Sequence, residues 1–413
     1  MSALSINPLS PLAGSSGRLV VIGAGMGGLV FARVAQKHGL EVMVFERDES
    51  PNARTQGGTL DMHVESGQWA LDVAGLLEPF KAIARPEGED LRIVAKDRCI
   101  LWDELGGEPT MARPEVDRPK LRQLLIDSLL PGTIRWNHRL VSITPTGEGE
   151  CHRLRFSSGV EITADVLIGA DGAGSLVRPL VTDAKPAYTG VSFVEIGIDD
   201  VQRRFPDVAT LVGRGSLFAL ADNKGLMAQL NGDGRIRVYA ALRVSEGGLG
   251  ELGVSFENAE HARNGLLKQF DGWAPELRRL IEVCDDDTFI PRPIHAMPVG
   301  VRWVSRPGFT LLGDAAHQMS PFAGAGANLA MQDGAALALA LVSSRDPALA
   351  IANYEREMFA RAEASAEESA LNLEMCISEH GARRMAERIR SYASDGVAPI
   401  RIDAAAEDAP ASS

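Results

Sequence analysis

The feature that most constrains the fold of this chain is a glycine-rich turn that follows an apolar run near the N-terminus. The run Leu19 to Ile22 leads into Gly23, Gly25 and Gly28 in G-x-G-x-x-G spacing. Gly23 permits a tight turn, Gly25 lets a pyrophosphate approach the backbone, and Gly28 lets the next helix pack closely on the strand. A second apolar run ends at Glu46, where a carboxylate meets ribose hydroxyls. The spacing predicts a Rossmann-like dinucleotide-binding unit with the phosphates at a helix N-terminus.

Two later segments have the same pattern, in which a predicted strand ends in a polar loop. Val166 to Arg178 contains Asp171, and Thr310 to Asn328 contains Asp314 followed by a glycine-rich loop. A helix that starts near Asn328 offers a second anion and carbonyl site, and Asp314 is placed to accept a hydrogen bond from a ribityl hydroxyl. Together the three units favour FAD over NAD as the nucleotide. An ordinary strand, loop and helix with an Asp cap stays open as the alternative for the third unit.

The order of these motifs resembles that of the single-component flavoprotein aromatic hydroxylases, which carry GxGxxG, ADGxxSxVR and GDAAHxxxPFxGxGxN. Within that family, the chain is similar to the tetracycline-inactivating flavin monooxygenases. The matching segments, spread over roughly Leu19 to Met375, include Gly57-Gly-Thr-Leu-Asp-Met-His63, Ser66-Gly67-Gln68, Arg118-x-x-Leu-Arg122 and Phe270-Asp-Gly-Trp273. The resemblance implies an α/β fold: an FAD-binding Rossmann-like domain of the aromatic hydroxylase type with an inserted β-sheet substrate domain and a long C-terminal helix.

The resemblance also implies the reaction. FAD reduced by NADPH reacts with O2, and the resulting flavin C4a-hydroperoxide hydroxylates an enol or phenolate carbon. Because the cofactor carries this step, neither a catalytic side-chain triad nor a metal site is expected. The protein supplies water exclusion, flavin movement and substrate orientation. The loop of Pro321, Phe322 and Gly324 is expected beside the flavin ring, and His317 is expected to be structural.

The motifs and the resemblance together assign two sets of site residues. The cofactor-binding residues are Gly23, Gly25, Gly28, Glu46, Arg47, Arg54, Asp61, Arg118, Arg122, Asp171, Asp314, Gly324, Gly326, Ala327 and Asn328. The substrate-binding residues are Glu195, Phe218, Met227, Gln229, Arg237, Pro321, Phe322, Gly324 and Met375. Arg54, Asp61 and Arg118 match flavin and nicotinamide contacts, and Arg47 matches a position near the adenosine. Each of these four charges is alternatively a surface salt-bridge partner.

The chain departs from the tetracycline-inactivating pattern on the wall where a substrate is recognised. Two sheet positions that hold a Gln and a His against the antibiotic in that family fall on Glu195 and Arg237. A change from Gln to Glu removes two donors and adds a charge. The two residues either pair with each other across neighbouring strands or bind a ligand of different charge. The substrate therefore stays open while the reaction class is indicated.

Three functions remain compatible with the sequence. The first is an NADPH- and O2-dependent monooxygenase that acts on a tetracycline or a similar fused-ring polyphenol and inactivates the antibiotic. The second keeps the fold and hydroxylates a simpler phenol, quinolone or N-heteroaromatic acid. The third is a flavin-dependent halogenase, a prenyl reductase or a non-catalytic flavoprotein that sequesters its ligand. The five tryptophans never approach the W-x-W-x-I-P spacing of the halogenases.

Composition limits the partners that the chain can have. With 42 Lys and Arg residues against 55 Asp and Glu residues, the net charge is −13, which argues against nucleic acid or an anionic membrane as a partner. The apolar stretch around Ala335 to Val342 is too short for a bilayer. Cys99, Cys151, Cys284 and Cys376 are scattered without a C-x-x-C pair, which excludes a redox dithiol and argues against zinc. A cytoplasmic monomer that binds a small aromatic or polyketide molecule is expected.

The hydrophobic patterning divides the chain into six segments. They are a flexible N-terminus over 1–17, a first part of the FAD-binding domain over 18–181, a substrate-binding β-sheet domain over 182–290, a second part of the FAD-binding domain over 291–345, a C-terminal helical segment over 346–395 and a flexible tail over 396–413. Short β-like runs separated by Asp222-Asn-Lys-Gly and Asn231-Gly-Asp-Gly predict hairpins in the third segment.

Overall fold

A five-stranded parallel sheet carries the glycine-rich turn. The computed structural model describes residues 18–53, 58–104, 110–146 and 151–394. In spatial order the strands are β17 (Phe309–Leu311), β11 (Val166–Gly169), β1 (Leu19–Ile22), β2 (Val42–Phe45) and β7 (Ile134–Arg135). The central strands β1 and β11 are buried along their whole length, as expected when a parallel sheet is covered on both faces. The three predicted strand-to-loop units therefore end at the same edge of one sheet.

Two helices separated by about three hundred residues of sequence pack closely beside this sheet. They are α1 (Met26–Lys37) and α10 (Gly326–Ser343). A Cβ atom on Gly27 would overlap the carbonyl oxygen of Ala330, and a Cβ atom on Gly334 would overlap the carbonyl oxygen of Gly27. Only glycine at both positions allows the two helix backbones to touch. This contact places the N-terminus of α10 next to the N-terminus of α1.

A second, seven-stranded sheet contains the β-like runs predicted from the sequence. In spatial order its strands are β16 (Ile290–Ala296), β12 (Ala187–Ile198), β15 (Ile236–Arg243), β14 (Lys224–Leu230), β13 (Ser216–Ala221), β4 (Leu91–Val94) and β5 (Ile100–Asp103). All neighbours are antiparallel except β13 and β4. Asp222 and Asn223 have φ of 54° and 59° between β13 and β14, which is the geometry of a type I′ hairpin.

Strands β4 and β5 belong to the seven-stranded sheet, although the segments predicted from the sequence place them in the FAD-binding domain. Both strands fall within 18–181, which the sequence assigns to the FAD-binding domain, yet β4 pairs with β13 of the seven-stranded sheet. Ser216 lies opposite Leu91 in this pairing, 125 residues apart in sequence by the difference of their numbers. Hydrophobic patterning in a sequence predicts where strands lie, but it does not predict which distant strands pair with each other. The predicted segment boundaries remain predictions, and the two sheets share the first third of the chain.

Smaller elements complete the described structure. A three-stranded antiparallel sheet has the order β10 (Glu161–Ala164), β9 (His152–Phe156), β8 (Leu140–Pro145), and a two-stranded ribbon is formed by β3 (Thr59–Asp61) and β6 (Glu115–Asp117). The shorter helices are α2 (Trp69–Ala74), α3 (Leu77–Lys81), α4 (Arg118–Asp127), α5 (Val201–Arg204), α6 (Pro206–Val212), α7 (Ala259–Gln269), α8 (Pro275–Glu282) and α9 (Asp314–His317). In the part of the chain that the structure describes, no helix is both long enough and apolar enough to cross a bilayer.

The predicted long C-terminal helix is present and connects the two sheets. Helix α11 (Pro347–Cys376) begins after Asp346, whose carboxylate accepts hydrogen bonds from the first backbone N–H groups, and α12 (Gly381–Ser394) follows it. Tyr354 donates its hydroxyl to the carbonyl of Leu311 in β17 over 2.9 Å. At the other end of α11, Leu373 and Met375 belong to the apolar cluster of the seven-stranded sheet. One helix therefore fixes the distance between the two layers.

We predict that Gly334→Ala destabilises the protein by about 1–3 kcal/mol, although alanine normally favours a helix interior. The added methyl group must push the backbone of α10 away from Gly27. Urea unfolding of the purified protein measures the effect. The matched control is Gly250→Ala, because a Cβ atom there meets nothing within 4 Å. Equal stability of the two variants would contradict the tight backbone contact.

Candidate functional site

A cavity of about 350 Å³ lies between the glycine-rich turn and the seven-stranded sheet. Its lining combines residues that the sequence assigns to the cofactor with residues that it assigns to the substrate. The first group is Gly23, Gly25, Gly28, Glu46, Arg47, Arg118, Arg122, Asp171, Asp314 and Ala327, and the second is Glu195 and Arg237. The fold thus brings segments from both sheets and from both ends of the chain to one space.

The start of α1 presents backbone donors to this cavity. The first helical hydrogen bond runs from the N–H of Leu29 to the carbonyl of Gly25, so the N–H groups of Met26, Gly27 and Gly28 have no partner within the helix. Gly25 has φ of −75° and ψ of 176°, and a Cβ atom there would point into open space. A helix end of this kind favours an anion, and the position of Gly25 is a cradle that a larger side chain would fill.

Glu46 lies next to that cradle at the end of β2 and is buried. Its Oε2 atom accepts from the N–H of Ala24 over 2.7 Å, and its Oε1 atom accepts from the N–H of Asp48 over 3.1 Å. A carboxylate accepts about four hydrogen bonds, so capacity remains for ribose hydroxyls. Arg122 braces the same turn, because its Nε donates to the carbonyl of Ala24 over 3.2 Å and its guanidinium lies over the Trp136 ring.

The turns after β11 and β17 form the opposite side of the cradle. Asp171 accepts from the hydroxyl of Ser175 over 2.5 Å and from the N–H of Leu176 over 2.7 Å. Burial raises the pKa of the Asp171 carboxyl above its usual range. Arg178 then donates to the backbone carbonyl of Asp314 over 2.8 Å. This hydrogen bond fixes the two aspartate turns relative to each other at the cavity edge.

Asp61 and Asn328 lie outside the cavity lining and hold two elements together. Asn328 accepts from the N–H of His63 over 3.0 Å and donates to the backbone carbonyl of Asp61 over 2.8 Å. The Asp61 carboxylate contacts Nε2 of His63 over 3.0 Å. Helix α10 starts at Gly326, two residues before the predicted start. Gly324 and Gly326 are likewise not part of the lining, whereas Ala327 is.

A buried ion network lies behind the Asp314 turn. The Asp333 carboxylate accepts from the N–H of Gly313 over 3.2 Å, contacts Nε2 of His317 over 2.6 Å and pairs with Arg361 over 3.2 Å. His317 is buried and is not among the residues that line the cavity. Its contacts support the predicted structural role.

Glu195 and Arg237 form an ion pair and also line the cavity, so the two alternatives left by the sequence are not exclusive. Arg292 of β16 contacts the other carboxylate oxygen of Glu195 through Nε over 2.6 Å. Tyr239, directly opposite Glu195 in the sheet, completes this wall. Neither Arg292 nor Tyr239 was assigned a role from the sequence. The alternation of side chains along β15 signals Tyr239, two residues after Arg237, but nothing local signals Arg292.

The other predicted substrate residues lie outside the lining of this cavity. Phe218, Met227, Phe322 and Met375 belong to one buried apolar cluster under the sheet. Gln229 donates to the carboxylate of Glu115 over 3.0 Å. Pro321 begins a short 3₁₀ turn that ends at Ala323 and is held by α11. Arg54 lies outside the described residues.

The arrangement of the cradle fits FAD. One cavity brings together the N-termini of α1 and α10, the buried carboxylate of Glu46 and the backbone of Gly25. The Cβ direction of Gly25 is open. These groups suit an extended, anionic nucleotide whose ribose hydroxyls lie near Glu46. The residues that fit FAD therefore line the same cavity as Glu195 and Arg237.

Comparisons with known proteins agree with this geometry. The chain belongs to the FAD binding domain family, whose sequence pattern matches residues 18–246 and 301–369. Monooxygenase asqM from Emericella nidulans is 30% identical over 431 aligned residues, which cover 88% of this chain and 96% of that protein. The chain is an FAD-dependent monooxygenase, as the sequence predicted.

Two solved structures show how widely this fold is shared. HpxO of Klebsiella pneumoniae in complex with FAD and uric acid aligns with a TM-score of 0.73 at 20% identity, over 92% of this chain and 93% of that one. The tetracycline destructase Tet(51) aligns with a TM-score of 0.67 at 20% identity, over 94% of this chain and 99% of that one. The predicted fold class is confirmed.

We predict that Gly25→Val folds but binds FAD at least about tenfold more weakly, a loss of about 1.4 kcal/mol. The backbone at Gly25 suits a β-branched residue, so the side chain enters the space of the cradle without strain. The visible absorbance of the purified protein and FAD titration of the stripped protein measure the change. Gly250→Val, at an exposed turn, is the matched control. Full FAD occupancy in Gly25→Val would contradict the claim that FAD binds against the backbone of Gly25.

Proposed function

We propose that the protein uses NADPH and O2 to hydroxylate a fused-ring polyphenolic compound, with a tetracycline as the first candidate. The observation that carries the proposal is the single cavity that joins the FAD cradle to the polar sheet wall of Glu195, Arg237 and Arg292. A substrate on that wall faces the nucleotide without an intervening element. The fold shared with a tetracycline destructase and the GGTLDMH and DRPKLR segments support the antibiotic as the first candidate.

In this proposal the predicted cofactor residues hold FAD along the cradle. The N–H groups at the start of α1 bind the pyrophosphate, Glu46 binds the ribose, and Arg47 lies near the adenosine. Asp314 binds the ribityl chain, and the start of α10 at Ala327 faces the flavin carbonyls. When bound, FAD supplies the reductive activation of O2. One substrate C–H bond becomes C–OH while NADPH, a proton and O2 become NADP⁺ and water.

The protein's own contribution is to orient the substrate and to exclude water. The buried cluster with Phe218, Met227, Phe322 and Met375 gives the wall an apolar support. The turn at Pro321 is fixed from α11, because Ser369 and Ser320 share a hydroxyl contact of 2.5 Å and Asn372 donates to the carbonyl of Phe322 over 2.9 Å. These contacts hold the turn in one shape.

A second substrate class is favoured by one observation. The Arg237–Glu195–Arg292 wall is more highly charged than the Gln and His that the resemblance places against tetracycline. A simpler phenolic or N-heteroaromatic acid matches such a wall. A flavoprotein that sequesters its ligand is the alternative of another class, and it would bind the ligand without consuming NADPH.

We predict that the FAD-loaded protein, incubated with NADPH in air, adds one oxygen atom to at least one tetracycline. Mass spectrometry of the products detects the added oxygen, and NADPH oxidation rises with substrate. The anaerobic reaction is the control, because O2 is the oxygen source. No oxygenated product across a tetracycline panel would exclude the antibiotic. Substrate-stimulated NADPH oxidation by hydroxylated aromatic acids alone would select the second substrate class.

We predict that Arg54→Ala and Arg118→Ala each slow the reduction of bound FAD by NADPH by about tenfold or more, because each removes a cation that orients the nicotinamide nucleotide. Arg118 lines the cavity beside the cradle. Anaerobic stopped-flow mixing measures reduction directly. Arg302→Ala is the control, since Arg302 is exposed and pairs with Glu363. Wild-type reduction in both Arg54→Ala and Arg118→Ala would remove these arginines from the nicotinamide site.

A further inference from the structure

One buried carboxylate joins two elements that line the cavity. Asp333 lies on α10 and is 1% exposed. Its Oδ2 atom accepts from the N–H of Gly313 over 3.2 Å and contacts Nε2 of His317 over 2.6 Å, and its Oδ1 atom accepts from Arg361 over 3.2 Å. Gly313 directly precedes the lining residue Asp314. The Asp333 carboxylate therefore ties helix α10, whose start lines the cavity, to the Asp314 turn.

The backbone of the Asp314 turn depends on this support. Gly313 has φ of 59° and ψ of −145°, a conformation that residues with a side chain rarely adopt. A Cβ atom there would lie 2.9 Å from the Cβ of Ala330, so the turn lies directly against α10. Gly313 is buried, and a buried N–H group without an acceptor is costly. Asp333 supplies the acceptor that this N–H group requires.

Helix α11 holds both the carboxylate and the strand that leads into the turn. Arg361 of α11 pairs with Asp333, and Tyr354 of the same helix donates its hydroxyl to the carbonyl of Leu311 over 2.9 Å. Removing one partner of a buried ion pair leaves an uncompensated charge, so Arg361 stabilises Asp333 in its place. The end of β17 and the turn after it are thus fixed from behind by two helices.

We propose that Asp333 is a positioning residue for FAD and acts through Gly313 on the Asp314 turn. Asp333 itself is not among the described residues that line the cavity. By fixing the Asp314 turn relative to the start of α10, it sets the affinity for the ribityl and flavin half of the cofactor. The adenosine half depends instead on the cradle of Gly25 and Glu46. The inference rests on the proposed function, since Asp314 is assigned there to the ribityl chain.

Asp333→Asn tests this role with almost no change in side-chain shape. Three donors converge on Asp333, whereas an amide offers one oxygen and adds an NH2 donor, so it cannot satisfy all three. We expect the dissociation constant of FAD, measured as free FAD after serial dilution of the FAD-loaded protein, to rise at least about tenfold. An unchanged constant would overturn the proposal.

The matched control for this substitution is Glu355→Gln. Glu355 is also 1% exposed, and its carboxylate accepts from Thr310 within β17 and not from the turn that follows the strand. Glutamine keeps an oxygen that can accept this hydrogen bond. We expect FAD to bind this variant with wild-type affinity. Equal weakening in both variants would assign the effect to the loss of any buried carboxylate near β17 and would contradict the proposal.

The affinity for ADP separates positioning from a general loss of structure. ADP carries the adenosine and pyrophosphate groups of FAD but neither the ribityl chain nor the flavin. Its dissociation constant is measured from the FAD that it displaces from the FAD-loaded protein. We expect Asp333→Asn to change the constant for ADP by less than about twofold. A rise by the same factor for ADP and for FAD would overturn the proposal, because the variant would then loosen the whole cofactor site.

A double-mutant cycle with Asp314→Ala tests the route from Asp333 to the cofactor. If Asp333 acts through the turn, both substitutions remove the same contact. Asp333→Asn is then expected to raise the FAD constant by less than about threefold when Asp314→Ala is already present. Independent effects that multiply would contradict the proposal. If Asp333→Asn does not fold, Arg361→Met removes the cation and is expected to weaken FAD binding in the same cycle, with exposed Arg356→Met on the same helix as its control.

The inference and the proposed function fail separately, because FAD binding is measured without NADPH or a substrate. The expected changes in FAD affinity without any oxygenated product from the wild-type protein would leave the role of Asp333 in place and contradict the proposed hydroxylation. Hydroxylation by the wild-type protein together with wild-type FAD affinity in Asp333→Asn would leave the proposed function in place and overturn the positioning role.

Discussion

The close contact between α1 and α10 is the constraint on which the site depends. Gly27 and Gly334 let two helix backbones touch, and any larger side chain at either position would separate them. Because the helices are held side by side, both N-termini open on one cavity, where their dipoles would act on the same anionic ligand. In the proposed function, Glu46 and the Asp314 turn bind one nucleotide, which requires that this spacing be kept. The cofactor site is therefore a consequence of helix packing as much as of its lining residues.

The wall opposite that cradle presents a different kind of charge to the cavity. Where the cradle offers partial charges from backbone N–H groups, the wall offers full charges from Arg237 and Arg292 around Glu195. Backbone donors suit any phosphate, since every helix start carries them. Side-chain charges can differ from one chain to the next, because they depend on the residue at each position and not on the backbone. In the proposed function, the cavity combines a cofactor half set by the backbone with a substrate half set by a few side chains.

Local spacing made the cofactor half predictable from the sequence. Gly25 and Glu46 stand at fixed distances from a strand and a helix, and the structure places both in the cavity lining. The roles of Asn328 and Gln229 were not predictable in the same way, because each is decided by a partner far away in sequence, His63 and Glu115. Arg292 was missed for the same reason: its contact with Glu195 depends on the register of β12 and β16. Sequence patterns report periodicity and turns, whereas register appears only in three dimensions.

The pairing of β4 with β13 affects how the chain can acquire its structure. The seven-stranded sheet needs β4 and β5 from the first third of the chain, and the parallel sheet needs β17 from the last third. Neither sheet is encoded by a contiguous stretch, so neither can close until most of the chain has left the ribosome. Contacts between distant segments carry a large loop-closure entropy and slow the search for the native state. Exposed sheet edges that await late partners are prone to mispairing, which makes early synthesis the vulnerable period for this enzyme.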